Sequence, residues 1–264
     1  MSDLDGTLLN RAVMSERTRV AIEAVRDAGI RFILATGRTV GLLGPAQNAG
    51  FAGIAICDNG AVTYDMDRDQ IIACQLIEAD LVGELATAFH ARNPEILLGV
   101  SRISPTPSTM CSEPRLIEYH SFGQEPIEVD RMGDEPAGKI FAISRSLDSA
   151  QIAQQFADIM RDRVTATWSN LGSGLLEITA AGVNKESAAR SVARRWRIDA
   201  IDVVAMGDGN NDLELLAWAG TAVVPANGSS AAKMLANVHV DSILDDGTAR
   251  YLEHLVRESA RNRS

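Results

Sequence analysis

The sequence predicts an α/β protein with a Rossmann-like, parallel-sheet core that is interrupted by an inserted α+β cap domain. Two observations support this fold class. At both ends of the 264-residue chain, nearly continuous apolar runs alternate with amphipathic stretches, which is typical of strands buried on both faces of a parallel sheet. The middle of the chain has shorter strands separated by acidic, Pro/Ser-rich and glycine-containing turns, as in an α+β module.

The N-terminal part predicts a right-handed strand–helix–strand crossover. Residues 15–28 are expected to form a helix, because Ser15 is a suitable N-cap and an apolar stripe with helical spacing follows it. Residues 30–35 and 54–57 are apolar and predict buried strands, and residues 40–48 predict a short helix between them.

The middle part predicts the cap, which we assign to residues 79–181, so that residues 1–78 and 182–264 form the core. The other elements before residue 182 are predicted as hairpin strands at 62–64 and 71–74, a helix near 79–92, an irregular stretch at 104–114, a strand at 139–144, a helix at 148–162 and strands near 164–168 and 174–179. The C-terminal part predicts a helix at 184–196, a strand at 202–206, a helix at 210–218, strands at 221–224 and 238–240 with a short helix between them, and a final helix.

Composition limits the classes of partner. The formal net charge of −10 argues against a nucleic-acid or anionic membrane surface, and 46% hydrophobic residues exclude disorder. No apolar run approaches the roughly 18 residues of a membrane span, and the acidic N-terminus lacks the basic region of a signal peptide. Three cysteines without CxxC spacing indicate reduced thiols. We therefore expect a cytoplasmic monomer or small homo-oligomer, with an anionic small substrate still possible.

The first candidate site is Asp3-Leu4-Asp5-Gly6. Two carboxylates at positions i and i+2 can reach one point where a chain leaves a strand and turns, and Gly6 permits such a turn. One carboxylate could attack an electrophile while the other exchanges protons. An acidic surface turn is the alternative.

Two further candidates offer groups that suit an anion. Thr36 and Gly37 follow a predicted buried strand, so a hydroxyl and free N–H groups would form an anion-binding corner. A plain strand-to-helix loop capped by Thr36 is the alternative. Lys185 lies near the predicted start of a helix, where a positive charge is unfavourable unless an anion lies beside it. A solvated lysine is the alternative there.

The fourth candidate follows the predicted strand at 202–206 and offers two carboxylates and two amides. These belong to Asp208, Asn210, Asn211 and Asp212. Oxygen ligands of this kind suit Mg²⁺. The pattern also begins like an EF-hand loop, but Leu213 and Ala219 stand where that loop needs glycine and glutamate. An acidic turn is the remaining alternative.

Three of the four candidates follow, or should follow, predicted buried strands, so they should meet at the carboxyl edge of the parallel sheet. The acids among them would repel one another unless they share a cation. Mg²⁺ and the Lys185 ammonium would supply positive charge. A phosphoryl group would in turn use the cation, the lysine, the Thr36 hydroxyl and the N–H groups.

The segments DLDGTLL, ATGR, GVNKESAA and GDGNNDLELL occur in this order and span nearly the whole chain. Together they resemble the four motifs of the haloacid dehalogenase superfamily of aspartyl-phosphate phosphatases, and in particular its Cof-like group of class IIB, which has an α/β cap. Asp5 and Thr36 are 31 residues apart, whereas Thr36 and Lys185 are 149 residues apart. The insert must therefore lie between the second and third motifs.

The resemblance implies a role for each candidate residue. Asp3 would be the nucleophile that takes the phosphoryl group, and Asp5 would be the general acid and base. The implied Mg²⁺ ligands are the Asp3 carboxylate, the Asp5 main-chain carbonyl, Asp208 and, in support, Asp212. The groups that would hold phosphate oxygens belong to Thr36, Gly37, Lys185 and Asn211.

Other segments match or depart from the pattern of this group. Asn59-Gly60-Ala61 matches a substrate-side loop, and Asp245-Asp246-Gly247 matches a segment near the C-terminus. Residues 224–228 differ from the usual Met-Gly-Asn-Ala type of segment, although Asn227 is retained.

The N-terminus departs further from the pattern. Only Met1 and Ser2 precede Asp3, where relatives have a central strand of about five or six residues. Either the chain start is misassigned or the core lacks this strand. Its loss would expose the edges of both neighbouring strands.

The leading hypothesis is a Mg²⁺-dependent phosphatase for a small metabolite, such as a sugar phosphate or a phosphorylated cofactor. A phosphomutase of the same superfamily shares the first chemical step and stays open. A glycosyltransferase with a DxD metal site leaves Lys185 and Asp208 unexplained. A non-catalytic metabolite-binding relative is a further alternative, which the complete set of motifs disfavours.

Overall fold

The computed structural model describes residues 1–103, 109–121, 123–168 and 174–261. In chain order its strands are β1 Leu9–Asn10, β2 Val13–Met14, β3 Leu34–Ala35, β4 Ile54–Cys57, β5 Val62–Asp65, β6 Gln70–Cys74, β7 Leu97–Arg102, β8 Thr109–Ser112, β9 Glu125–Pro126, β10 Lys139–Ile143, β11 Val164–Thr167, β12 Leu175–Ala180, β13 Val204–Met206, β14 Thr221–Pro225 and β15 Val238–Val240.

The helices, also in chain order, are α1 Glu16–Asp27, α2 Gly44–Asn48, α3 Ala79–Arg92, α4 Pro114–Tyr119, α5 Ser149–Gln155, α6 Ala157–Met160, α7 Lys185–Trp196, α8 Leu213–Trp218, α9 Ser230–Leu235 and α10 Gly247–Arg261. Several begin as their sequences predict. The Ser15 side chain accepts a hydrogen bond from the Thr18 N–H at the start of α1, and Asn184 caps α7 in the same way.

The core sheet has the strand order β6–β5–β4–β3 on one side and β13–β14–β15 on the other. Strands β3 and β4 run parallel, as do β13, β14 and β15, whereas β5 and β6 form an antiparallel hairpin at one edge. The carboxyl ends of the parallel strands therefore lie at one edge of the sheet, where ligands bind in open α/β folds.

A short N-terminal segment joins the two sides of this sheet. The Ser2 N–H donates to the Ile33 carbonyl at 2.9 Å, and the Ala35 N–H donates to the Ser2 carbonyl at 2.8 Å. On the other side, the Asp3 N–H donates to the Met206 carbonyl at 2.8 Å. This segment is short, yet it pairs in parallel with both neighbouring strands and delivers Asp3 to the carboxyl edge.

Helices cover both faces of the core sheet. Leu34 lies in an apolar cluster with Val25 of α1 and Leu252 of α10. Its neighbour Ala35 lies in a second cluster with Leu215 of α8, because successive strand residues point to opposite faces. Burying a leucine side chain completely stabilises the fold by about 1.5–3 kcal/mol, which explains the nearly continuous apolar character of these strands.

The cap sheet has the strand order β11–β12–β10–β7–β8–β9. It is antiparallel except for the pair β8–β9. Phe89 of α3 stacks on Phe156, with 3.8 Å between the ring centroids, inside the apolar cluster of the cap. The predicted fold class, a parallel-sheet core with an inserted α+β unit, is confirmed.

Some predicted elements are shorter or broken. The strand predicted at 30–35 is confined to Leu34–Ala35, the two residues that are in register with β4. The helix predicted at 148–162 breaks at Phe156, whose backbone (φ −111°, ψ 7°) leaves the helix and lets its ring stack. The helix predicted at 40–48 is a 3₁₀ turn followed by α2, since Pro45 has no N–H to continue an earlier helix.

Other differences concern the cap and the C-terminal half. The stretch predicted as irregular at 104–114 contains β8, while residues 104–108 and the predicted turn residue Gly172 lie outside the described residues. Strand β7 and helix α4 were not predicted. The strand predicted at 202–206 is shortened by a 3₁₀ turn, Ala200–Asp202. Among the described residues, no helix combines the length and apolar character that a membrane span needs.

Candidate active site

Three acids meet at the carboxyl edge of the core sheet. Asp3, Asp208 and Asp212 each place one carboxylate oxygen within 4.8 Å of the other two. Asp3 ends the N-terminal segment, Asp208 follows β13, and Asp212 lies in the 3₁₀ turn Asn210–Asp212 before α8. The structure therefore brings together acids from the first and fourth sequence motifs, as the parallel sheet predicts.

Lys185 connects two of these acids. Its Nζ lies 2.6 Å from Asp3 Oδ1 and 2.6 Å from Asp212 Oδ1, and its side chain is fully buried. Burial alone would lower the pKa of Lys185, but Asp212 and Asp3 outweigh it and the pKa is raised. Lys185 is therefore a buried ammonium, and not the solvated lysine of the alternative reading.

The raised pKa values of two of these acids show that one lysine does not fully compensate the negative charge of the group. Burial raises the pKa of Asp3 well above its usual range, although Lys185 opposes this shift. Burial and the nearby Asp212 raise the pKa of Asp208 to about 6. Carboxylates that are crowded and desolvated in this way are stabilised in their ionised form by a further cation.

Asp212 also shapes the loop that carries Asp208. Its Oδ2 accepts hydrogen bonds from the N–H groups of Asp208 (3.0 Å) and Gly209 (2.8 Å). These bonds hold the first turn as a 3₁₀ turn, so α8 begins at Leu213 and not at residue 210 as predicted. Asp208 itself accepts a hydrogen bond from the Thr7 hydroxyl at 2.8 Å.

Asp5 is held by Arg38, which the sequence reasoning did not assign. The Arg38 Nε and Nη2 atoms lie 2.6 and 2.7 Å from the two carboxylate oxygens of Asp5, and Nη1 donates to the Leu42 carbonyl. This bidentate pair fixes the orientation of the Asp5 carboxylate. The position of Arg38 directly after Thr36 and Gly37 was the available signal.

The anion-binding corner predicted at Thr36 and Gly37 is lined by two asparagines. Asn211 Nδ2 donates to Asn59 Oδ1 at 3.0 Å, and Asn59 Oδ1 lies 3.1 Å from the position that a Cβ on Gly37 would take. Asn59 Nδ2 is buried and has no hydrogen-bond partner among the described residues. A buried, unpaired donor beside Gly37 suits an oxygen of a bound ligand.

The altered loop at residues 224–228 still reaches the site. Asn227 Nδ2 donates to the Gly6 carbonyl at 2.8 Å, and Asn227 Oδ1 accepts from the Ile243 N–H at 2.9 Å. The retained asparagine therefore braces the turn after Asp5.

Two charged residues of the cap reach the same corner and were missed from the sequence. Lys139 Nζ lies 2.5 Å from the Gly37 carbonyl and 2.5 Å from Glu177 Oε1. Both side chains are buried at the junction with the core. The sequence offered two signals for them: Lys139 is the first residue of an apolar strand, and Glu177 lies inside another apolar strand.

The donor set fits a hard divalent cation. Its ligand atoms are carboxylate oxygens, which Mg²⁺ prefers, and the pKa values of Asp3 and Asp208 indicate uncompensated negative charge at this point. The Asp5 carbonyl belongs to the same turn. No histidine or cysteine belongs to this group of acids among the described residues, so the set does not resemble a zinc site.

Replacing Gly6 by alanine is expected to weaken the cation site. Gly6 has φ +85°, and an added Cβ would lie 2.8 Å from Asp208 Cγ, so the Asp208 carboxylate must move. We expect about 1–3 kcal/mol of lost unfolding free energy and weaker binding of a divalent cation, measured by titration with Mg²⁺. Gly50→Ala is the matched control, because Gly50 has φ +77° but open space around it. Equal Mg²⁺ affinity in both variants would contradict the assignment of this group of acids as a cation site.

Comparison with known proteins identifies the class. A sequence model of the haloacid dehalogenase-like hydrolase family matches residues 1–252. The chain is 29% identical to a phosphoglycolate phosphatase of Methanopyrus kandleri over 261 residues, covering 98% of this chain and 97% of that protein. It is 23% identical to a 5-amino-6-(5-phospho-D-ribitylamino)uracil phosphatase of Bacillus subtilis over 259 residues, covering 96% and 94% of the two chains.

A solved structure of a subclass IIB sugar phosphatase has the same fold, with a TM-score of 0.80 and 18% identity over 96% of this chain and 97% of that one. The chain belongs to the haloacid dehalogenase-like hydrolase family. It is an enzyme of the phosphoric monoester hydrolase type, as its named relatives are, so the resemblance predicted from its four motifs is confirmed.

Proposed function

We propose that this protein is a Mg²⁺-dependent phosphatase that hydrolyses a small phosphorylated metabolite through a phosphorylated Asp3. The observation that carries the proposal is the buried group in which Lys185 connects Asp3 to Asp212 beside Asp208. The known activities of the relatives support a small substrate, since they include a phosphoglycolate phosphatase and a phosphatase of a ribitylaminouracil phosphate.

Asp3 is the proposed nucleophile. Lys185 orients its carboxylate from one side, and Mg²⁺ would be held by the carboxylates of Asp3 and Asp208 and the Asp5 main-chain carbonyl, with Asp212 in support. Bound there, the cation would neutralise charge on the carboxylate and the phosphoryl oxygens. An Asp3 oxygen attacks phosphorus in line as the bond from phosphorus to the leaving oxygen breaks.

Asp5 is the proposed proton carrier. Its carboxyl gives a proton to the leaving oxygen, which prevents an alkoxide from forming. The same carboxylate then takes a proton from water as the water oxygen attacks phosphorus. The bond between phosphorus and the Asp3 oxygen breaks, and inorganic phosphate and free Asp3 result. Arg38 keeps the Asp5 carboxylate in place between the two steps.

The phosphate cradle is proposed to use the Thr36 hydroxyl, the Gly37 N–H, the Lys185 ammonium and the Asn211 amide. Asn59 Nδ2 joins this group, because it is buried and unpaired beside Gly37. We further propose that the core comprises residues 1–78 and 182–264 and the cap residues 79–181. The strands of the cap sheet, β7 to β12, all fall inside this interval.

Phosphate release from p-nitrophenyl phosphate, measured with Mg²⁺ and after chelation, tests the proposal. We expect turnover that requires the cation. A panel of phosphorylated metabolites ranked by kcat/KM then identifies the substrate class. Absence of turnover on every ester with Mg²⁺ present would overturn the proposed function. Reappearance of labelled phosphate on another carbon of the same sugar would show a phosphomutase instead.

A further inference from the structure

One ammonium group of the cap is buried against the phosphate cradle of the core. We propose that Lys139 is a positioning residue that couples docking of the cap to the shape of this cradle, acting through the Gly37 carbonyl. This inference rests on the proposed function, because the cradle is the proposed binding place of the phosphoryl group.

The contacts of Lys139 cross from the cap to two segments of the core. Its Nζ lies 2.5 Å from Glu177 Oε1 in the neighbouring cap strand, 2.5 Å from the Gly37 carbonyl and 3.7 Å from Asp58 Oδ1. Gly37 follows β3 and Asp58 follows β4, so one group connects the cap to both core loops. The side chain of Lys139 is only 6% exposed.

The charges at this junction divide between the cap and the core. Lys139 and Glu177 both belong to the cap sheet and stay paired when the cap moves as a unit. Burial alone would lower the pKa of Lys139, but Glu177 and Asp58 outweigh it and raise the pKa. Burial raises the pKa of Asp58, and Lys139, whose Nζ lies 3.7 Å from Asp58 Oδ1, is the cation that opposes this shift in the docked arrangement.

The Gly37 carbonyl is a sensitive point for such a contact. It shares its peptide group with the Arg38 N–H, which donates to the Thr36 hydroxyl at 3.1 Å. The Arg38 side chain holds Asp5. Glycine restricts its own backbone less than any other residue, so an external bond to its carbonyl fixes the peptide plane. By fixing that plane, Lys139 also fixes the position of the Thr36 hydroxyl and, through the Arg38 side chain, the position of the Asp5 carboxylate.

The same contacts argue against a role for Lys139 in binding the substrate directly. An ammonium has three N–H donors, and two of them make the hydrogen bonds to Glu177 and the Gly37 carbonyl. Asp58 Oδ1, at 3.7 Å, is an ion-pair partner on a further side of the group. A positioning residue should therefore affect all substrates alike, whereas a substrate contact should affect only those that reach it.

The test compares wild type with Lys139→Met and with the double variant Lys139→Met/Glu177→Gln, in which no glutamate stays buried without its lysine. We expect kcat to fall by about 10–100-fold, as for a small misplacement of reacting groups. The same factor should hold for p-nitrophenyl phosphate and for the best metabolite of the panel, with KM changed less than about threefold. Lys139→Arg should recover part of kcat. Lys233→Met, at a lysine of α9 that the proposed cradle does not include, is the matched control.

Two results would overturn the inference. One is an unchanged kcat in the double variant for both substrates. The other is a higher KM for the metabolite with unchanged activity on p-nitrophenyl phosphate, which would show that Lys139 contacts the substrate.

Hydrogen exchange of the peptide that carries residues 36–38 gives a readout without turnover. It should be faster in the double variant than in Lys233→Met, and equal rates would contradict the coupling. If the wild-type protein hydrolyses no ester, the proposed function fails, while hydrogen exchange still decides whether Lys139 holds the Gly37 loop.

The pH dependence of stability gives an independent prediction for the core side of this junction. Burial raises the pKa of Asp58 to about 7, although Lys139 opposes the shift. The folded state therefore holds a proton that the unfolded chain releases near its usual value of 3.8. Protonated Asp58 therefore causes no loss of stability at acidic pH. As the pH rises from its usual pKa to about 7, the free energy of unfolding falls.

Asp58→Asn should remove this pH-dependent fall in the free energy of unfolding, because the asparagine side chain does not titrate. Relative to wild type, the variant should gain stability as the pH rises from 5 to 8. Chemical unfolding across this range measures the difference, with the exposed Asp67→Asn as the matched control. Parallel stability curves for wild type and Asp58→Asn would contradict the prediction.

Discussion

Replacing Asp3 by asparagine is expected to lower phosphate release by about 10³-fold or more while the protein stays folded. An amide of the same shape cannot form the bond to phosphorus that the mechanism requires. Burial disfavours the ionised form of Asp3 and raises its pKa, so a neutral side chain relieves that cost and Lys185 keeps Asp212 as a partner. Phosphate release and chemical unfolding, measured on the same preparation, separate the two effects.

The matched control for this change is Asp67→Asn, which alters an exposed acid in the turn between β5 and β6 and should leave turnover unchanged. Asp5→Asn should also lower kcat, by about 10²–10⁴-fold, as expected for loss of a general acid and base. Full activity in Asp3→Asn would show that Asp3 is not the nucleophile and would contradict the proposed mechanism.

Replacing Lys185 by methionine should have the largest effect on stability. Methionine fills much of the same volume, but Asp3 and Asp212 lose the ammonium that lies 2.6 Å from each of them. Breaking a buried ion pair by removing one partner costs about 3–5 kcal/mol. Activity should fall as well, because Lys185 contacts the Asp3 carboxylate and is proposed to supply charge to the phosphoryl oxygens.

Urea unfolding of Lys185→Met at neutral pH measures this loss, with Lys233→Met as the matched lysine control. The loss should shrink in acid, where the buried Asp3 carboxyl takes up a proton. Unchanged stability of Lys185→Met would show that the three acids do not depend on the lysine. That result would also contradict the electrostatic account of the site.

Much of the candidate site could be predicted from the sequence because its residues follow buried strands. Once Asp3, Thr36 and Asp208 are placed after parallel strands, the sheet itself brings them to one edge. Lys185 was predictable for a different reason, since a lysine at the first turn of a helix calls for an anion beside it. The structure pairs it with two buried carboxylates.

The residues that were missed depend on tertiary contacts that local patterns do not encode. Lys139 and Glu177 lie 38 positions apart and meet the Gly37 loop only because two sheets pack at this junction. Arg38 carried no sequence signal for its bond to Asp5 beyond its motif. Phe156 broke a predicted helix because stacking on Phe89 outweighs the helical propensity of that segment.

The stereochemical course at phosphorus distinguishes a phosphorylated Asp3 from direct attack by water. A phosphorothioate monoester made chiral at phosphorus with oxygen isotopes is hydrolysed in isotopically labelled water with Mg²⁺ present, and the configuration of the released thiophosphate is determined. Transfer first to Asp3 and then to water consists of two in-line displacements, so the account predicts net retention of configuration. Net inversion would show a single direct attack by water and would contradict a phosphorylated Asp3.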